Sequence, residues 1–407
     1  MGLFTKSLHR AASAILMLPA LLMVESLEAA TPTESIIMPK AHKSLLLDVD
    51  MHGNRLVMVG ERGHVLVSED SGKTWKQSKS PVSQMLTAVE LLNERYVWAV
   101  GHDGNIIHSD DGGLTWVKQR DGLKAQAEAN VVLLREAKEK FAQLEEQVAQ
   151  DPVAAAQPVA PLPAAPAASD ALAEEEMEAP VTLQEKLEEA EWEVNSAQER
   201  LKGPVVANPL MDVWFANERE GWAVGAFGAL VQTLDGGKNW ISRSKDIGNP
   251  NNYHLNAING APDGTIYVAG ESGFLIVSKD KGQSWTRVDL GYQGTLFGIV
   301  VDRSGAMVVV TGLRGNTFRT QDGGGTWHTI NPGVDYSLAA GSIYDNRLVL
   351  VGTGGYIALS EDAGDTFKQY TLLARSGLSS AVALDKNRFL LVGQGGFYIF
   401  DAGALSR

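Results

Sequence analysis

Short apolar runs alternate with clusters of turn residues along most of the chain. In the first full unit, residues 45–49, 55–59, 64–67 and 74–77 each read as a strand. They are rich in Val, Leu and Met, and each is bounded by turn chemistry: His52-Gly53-Asn54, then Gly60-Glu61-Arg62-Gly63, then Ser68 to Trp75. The same four-strand unit returns at a period of roughly 40 residues, which predicts stacked supersecondary units.

The turn before the fourth strand has a fixed chemistry, S-x-D-x-G-x-T-W. It occurs six times, with Asp70, Asp111, Asp235, Asp280, Asp322 and Asp362 at its centre. Trp75, Trp116, Trp240, Trp285 and Trp327 close the first five copies, and Phe367 closes the sixth. An Asp can accept backbone N–H bonds inside such a turn, Gly takes the positive φ, and the hydroxyls join the same network. The aromatic then enters the next strand, where it can pack on a neighbouring unit. These Asp boxes therefore read as structural turns.

A second signature, an apolar strand followed by G-x-x-G, occurs seven times. Its first glycines are Gly60, Gly101, Gly225, Gly270, Gly312, Gly352 and Gly393, at separations of 41, 124, 45, 42, 40 and 41. The motif joins two strands here, so it is not a phosphate-binding loop. Four antiparallel strands repeated seven times predict an all-β fold, a seven-bladed β-propeller. The seventh unit ends without an Asp box. Residues 35–38 are therefore expected to supply its missing outer strand and close the ring.

The one long interval marks an insertion at residues 122–204, between blades 2 and 3. Ala127, Asn130, Leu134, Ala137, Phe141, Leu144 and Val148 follow a three-four spacing, as do Leu183, Leu187, Ala190, Val194, Ala197 and Leu201. An Ala-, Pro- and Glu-rich stretch, residues 151–180, connects them. The pattern predicts an α-helical hairpin with a long linker. The insertion carries 7 basic and 17 acidic residues, most of the chain's net charge of −14.

That acidic balance argues against a nucleic-acid surface. The absence of cysteine removes disulfides, thiolate nucleophiles and lipoprotein anchoring. Lys6 and Arg10 precede an apolar run, residues 11–24, and small residues at Ala29 and Ala30, the order of a secretory signal peptide. The expected organisation is a signal peptide at 1–30, an N-terminal strand with blades 1 and 2 at 31–121, the insertion at 122–204, and blades 3 to 7 at 205–407. The mature chain is expected in the periplasm.

Strand order places the G-x-x-G turns and the insertion on one face, the top, and the Asp boxes on the other. Glu61, Arg62, His102, Asp103, Phe227, Glu271 and Arg314 occupy the top turns and are the candidates for partner binding. Catalysis has little support. Sialidases share the Asp box and use three arginines with a Tyr nucleophile. Only Arg62 and Arg314 offer themselves here, without an Arg-Ile-Pro segment. His102 and Asp103, adjacent on a tight turn, point apart. No histidine cluster suggests a metal, and no cofactor is expected.

The combined unit of V-G-x-x-G followed by the Asp box resembles the photosystem II assembly and stability factors, over residues 35–120 and 205–401. The resemblance implies a non-enzymatic propeller outside the cytoplasm that assists a membrane-protein complex. Related proteins of non-photosynthetic bacteria stand beside exporters of the resistance-nodulation-division type. The acidic insertion and the sparse arginines of the top turns point toward that branch, whose expected partner is an exporter subunit paired with the hairpin's helices. The alternatives from the residues are a sialidase-like glycoside hydrolase and a glycan-binding propeller.

Overall fold

The computed structural model describes residues 33–150 and 182–404. The expected signal peptide and the Ala/Pro-rich linker lie outside the described residues. Seven antiparallel sheets follow one another in chain order. Blade 1 is β1 (Leu46–His52), β2 (Arg55–Gly60), β3 (Val65–Ser68) and β4 (Lys76–Ser78); blade 2 is β5 (Leu86–Leu91), β6 (Val97–Gly101), β7 (Ile106–Ser109) and β8 (Val117–Arg120). Two helices follow, α1 (Gly122–Gln150) and α2 (Leu183–Lys202). Blade 3 is β9 (Leu210–Phe215) to β12 (Ile241–Ser242), blade 4 is β13 (Leu255–Gly260) to β16 (Thr286–Arg287), and blade 5 is β17 (Leu296–Val301) to β20 (His328–Ile330). Blade 6 runs from β21 (Leu338–Tyr344) to β24 (Lys368–Thr371), and blade 7 holds β25 (Leu378–Ala383), β26 (Arg388–Gly393) and β27 (Gly396–Asp401). The seven-bladed propeller read from the sequence is the fold.

The hydrophobic core is divided among the seams between blades. Val57 and Val67 of blade 1 pack with Val89 and Ala99 of blade 2, and Val349 and Val351 of blade 6 with Phe389 and Leu391 of blade 7. The box aromatics sit in these seams. Trp116 of blade 2 lies against Val57 and Val67, and Trp285 of blade 4 meets Trp222 of blade 3 edge-on at 5.9 Å between centroids. Each unit thus buries its aromatic on the preceding one, so no blade completes its core alone.

The first strand of every blade carries a bulge where it meets the repeated glycine. In blade 1, Leu46 pairs with Gly60, and Asp48 with Val59, leaving Leu47 unpaired between them. A Cβ on Gly60 would strike the backbone oxygen of Leu45, which explains why only glycine stands there. Bulged residues reach the next blade. Thr87 donates to the Leu210 carbonyl at 2.8 Å, and Asn256 to that of Leu296 at 2.8 Å.

Ring closure differs from the expectation. Residues 35–38 form no strand, and blade 7 keeps three strands among the described residues. The segment lies instead against blade 1. Ser35 donates its N–H to the Ser80 carbonyl at 3.0 Å, and its hydroxyl accepts the Ser80 N–H at 2.8 Å. The Gln77 amide donates to the Ile36 carbonyl and accepts from the Met38 N–H. Ser80 is buried, so its backbone needs these partners, and they hold the segment on blade 1. The seam between blades 7 and 1 closes by packing of Leu390 and Val392 against Leu46, Leu56 and Met58. The Ser379 hydroxyl adds a bond to the Leu46 carbonyl at 2.9 Å.

Candidate docking face

Each Asp box is a saturated hydrogen-bond knot. In the first, Asp70 Oδ1 accepts from the Lys73 N–H at 3.0 Å, the Thr74 N–H at 2.8 Å and the Ser68 hydroxyl at 2.8 Å. Oδ2 accepts from the Thr74 hydroxyl at 2.6 Å, and Ser68 Oγ accepts the Gly72 N–H at 2.9 Å. The Thr74 hydroxyl and N–H hold the Asp70 carboxyl down at about 2, and Asp280 and Asp362 sit at about 2 for the same reason. A carboxylate so fully occupied is a poor base and a poor metal ligand. The box also touches the turn between the first and second strands: the Ser71 N–H donates to the Asn54 carbonyl at 2.9 Å. Those two sets of turns therefore share one face.

The other face is built from the G-x-x-G turns and the connections between blades. Each turn docks on its own blade through one repeated bond, from the residue after the first glycine to the carbonyl just before the inner strand. Glu61 bonds Leu45 at 3.0 Å, His102 bonds Met85 at 2.9 Å, and Leu313 bonds Thr295 at 2.9 Å. The next residue is left-handed: Arg62, Asp103 and Arg314 each have φ 57° and Phe227 has 54°. That conformation is costly for a non-glycine residue. It turns these side chains outward from the strands, and Phe227 is 60% exposed.

The seven residues read as partner-binding divide into two groups. Glu61 accepts the Leu45 N–H at 3.2 Å and Glu271 accepts the His254 N–H at 2.9 Å, so both brace the start of an inner strand. Arg62, His102, Asp103, Phe227 and Arg314 stand on the outer rim of the turns. Among the described residues no hydrogen bond joins His102 to Asp103. Arg62 and Arg314 lie on blades 1 and 5.

The helices rise from this same face. Asp121 accepts the Lys124 N–H at 3.2 Å and caps α1, whose Gly122 lies against the Asp103 carbonyl of the blade 2 turn. Thr182 and Glu185 form a capping box at the start of α2. The two helices pack along the stripe predicted for them, with Asn130, Ala137, Ala190 and Ala197 buried between them, and the Lys140–Glu193 ion pair at 2.9 Å crosses outside. Trp192 lies beside Leu133 and Ala137 of α1 and is 67% exposed.

The central channel holds a group the sequence did not single out. A cavity of about 600 Å³ is lined by the inner strands, with Asp48, Asp50, Glu90 and Asp212 clustered on blades 1 to 3. Three of them tie neighbouring blades together. Asp48 accepts the Val89 N–H at 2.8 Å, Asp50 the Leu91 N–H at 2.6 Å and Asp212 the Ile258 N–H at 2.9 Å. Inner strands have a free edge toward the channel, and these carboxylates satisfy it. Burial pushes Asp48 up to about 7, Asp50 to about 6 and Asp212 to about 8, against the hydrogen bonds. It lifts Glu90 well above the usual carboxylate range, with Asp50 and Asp212 adding to the rise. Among the described residues no group of acidic and histidine side chains has metal-binding geometry.

The model of the photosynthesis system II assembly factor YCF48 family matches residues 189–376, from α2 through blade 6. The chain resembles the photosystem II assembly factors in sequence. It is 32% identical over 157 residues to the photosystem II assembly lipoprotein Ycf48 of Synechococcus sp. (strain CC9902), covering 38% of this chain and 44% of that protein. It is 27% identical over 218 residues to the chloroplastic photosystem II stability/assembly factor HCF136 of Arabidopsis thaliana, covering 47% of this chain and 54% of that one. The chain spans about half the length of these curated relatives. The solved structure of YCF48 bound to D1 peptide matches with a TM-score of 0.54 at 14% identity, over 91% of this chain and 96% of that one. YCF48 from Cyanidioschyzon merolae matches at 0.55 and 14%, over 91% and 98%. At that identity the structures share the fold of the assembly factors. Among the described residues no helix is long and apolar enough to cross a membrane.

Proposed function

We propose that this chain is a non-enzymatic, extracytoplasmic propeller whose top face docks a membrane-protein complex and assists its assembly, stability or regulation. The observation that carries the reading is the placement of the helical hairpin and the outward turn residues on one face, opposite the saturated Asp boxes. The relatives support it, since Ycf48 and HCF136 are named as photosystem II assembly factors. Arg62, His102, Asp103, Phe227 and Arg314 make the contacts, and Glu61 and Glu271 hold the turns in position. The partner we favour is an exporter of the resistance-nodulation-division type, because the acidic hairpin and the sparse arginines of the top turns set this chain apart from the photosynthetic pattern. Its helices offer an exposed Trp192 and a surface for partner helices.

The test is co-purification from detergent-solubilised membranes, with the full chain and with residues 122–204 replaced by a short Gly-Ser linker. An exporter subunit retained by the full chain and lost or depleted with the deletion is the expected result. Equal recovery from both removes the hairpin from the interface, and recovery of other membrane proteins alone removes the exporter.

A further inference from the structure

The interval from Gly225 to Gly270 is 45 residues, where the other uninterrupted intervals are 40 to 42. The surplus enters one loop, residues 248–253, between the outer strand of blade 3 and the inner strand of blade 4. At other seams this connection drops an apolar side chain into the gap, such as Val82 between blades 1 and 2 and Val334 between blades 5 and 6. Here Ile247 is buried at the floor, but the following Gly-Asn-Pro-Asn-Asn brings no further plug. A groove of about 500 Å³ stays open, a volume typical of ligand pockets.

The groove is built rather than left over. Phe274 and Ile276 complete its floor, and Tyr253 and Trp285 form its walls. The loop is braced around one wall. Asn249 accepts the Tyr253 N–H at 3.0 Å and donates to the Tyr253 carbonyl at 2.9 Å, and the Asn251 amide donates to the Tyr253 hydroxyl at 2.9 Å. A wall fixed in advance lowers the ordering cost of binding. Arg287 stands exposed at the rim with its guanidinium carbon 4.2 Å from the Phe274 ring centroid. It makes one long bond, 3.4 Å to the Ser272 carbonyl, and no ion pair among the described residues. Its remaining donors are available to an anion in the fork geometry that suits a carboxylate.

We propose that this groove binds a peptide segment of a partner protein, which inserts one bulky apolar side chain between Tyr253 and Trp285 and sets a carboxylate on Arg287. The apolar floor and aromatic walls call for the first group, and the spare donors of the guanidinium for the second. The groove adjoins the top turns, with Asn249 against Gly228 and Arg287 bonded to the Ser272 carbonyl, but it uses none of the five rim residues and no part of the hairpin, so this inference and the docking reading can fail separately.

The experiment uses the full chain labelled with 5-fluorotryptophan, followed by fluorine NMR. The chain has nine tryptophans, and Trp285→Phe assigns the reporter. Arg287→Gln, a change at the exposed rim, marks the same resonance if Trp285→Phe fails to fold. The probes are N-acetylphenylalanine, its C-terminal amide, and cellobiose. The acid is expected to shift the Trp285 signal saturably, with the amide at least threefold weaker. Arg287→Gln should bring the acid down to the affinity of the amide. No shift from either phenylalanine probe overturns the proposal, as does a shift from cellobiose alone. Unchanged affinity for the acid in Arg287→Gln overturns the carboxylate contact.

Discussion

Asp212→Asn should gain stability relative to the parent protein as pH rises from about 4 to about 8. The Asp212 carboxyl is raised from 3.8 to about 8 by burial and by the neighbouring Asp48. A raised acid binds its proton more tightly folded than unfolded, so stability falls as pH rises from about 4 to about 8 and is flat beyond. At 1.36 kcal/mol per pKa unit the full shift would cost about 5–6 kcal/mol at pH 8. The side chain is half-buried and faces a water-accessible channel, which reduces the penalty to about 2 kcal/mol. The amide removes the charge and keeps one oxygen for the Ile258 N–H, while the Val213 N–H, bonded to the other carboxylate oxygen at 2.8 Å, loses its acceptor at every pH. With roughly 340 folded residues at about 2.1 cal/mol/K each, 1 kcal/mol moves Tm by about 1.4 °C, so the Tm difference between variant and parent should rise by about 3 °C between pH 4 and pH 8. Asp48, Asp50 and Glu90 face the same channel and keep part of the slope in the variant. His64 and His108, held below 6.5 by burial, contribute in the opposite direction below pH 6.5. Those groups are common to both proteins, so the readout is the difference in Tm between variant and parent, by circular dichroism, from pH 4 to 8. A Tm difference that stays constant from pH 4 to 8, or that shifts toward the parent as pH rises, would refute the reasoning.

Asp70→Ala removes the acceptor for the Lys73 and Thr74 N–H groups. It should lower Tm while leaving partner recovery intact, read by calorimetry alongside co-purification. Trp116→Ala empties the seam between blades 1 and 2 and should cost about 3–5 kcal/mol, a Tm fall of roughly 4–7 °C. Charge reversal at the rim, Arg62→Glu with Arg314→Glu, should reduce partner recovery at least tenfold with Tm within about 1 °C of the parent, since neither side chain makes a hydrogen bond or ion pair among the described residues.

The repeat was legible because its chemistry is local. A box Asp must meet donors three and four residues on, and a turn glycine must clear a backbone oxygen of its own blade, so both recur at fixed offsets. The blade count and the face assignment followed from those offsets, and the hairpin stripe from the three-four spacing inside the insertion. What escaped depends on contacts between blades. Residues 35–38 stand eight residues before their inner strand, as Ser78 does before Leu86. The missing fourth strand of blade 7 suggested that this segment supplies it, but bonds to Ser80 and Gln77 of blade 1 hold the segment elsewhere. Glu61 and Glu271 looked like free turn residues until the inner-strand N–H groups they accept were in view. Asp48, Asp50, Glu90 and Asp212 are acids in apolar strands, a visible irregularity, yet only the closed ring brings them to one channel. The 45-residue interval was equally visible, and it took the seam geometry to make it a groove.

The central claim is that the top face, and not the Asp-box face, meets a membrane protein. Photo-crosslinking tests it most directly, with p-benzoylphenylalanine placed at Phe227 on the top and at Ser71 on the opposite face, in cells carrying the natural partners. Crosslinks to an integral membrane protein from Phe227 and none from Ser71 are the predicted result. Crosslinks from Ser71 with silence at Phe227 would contradict the account.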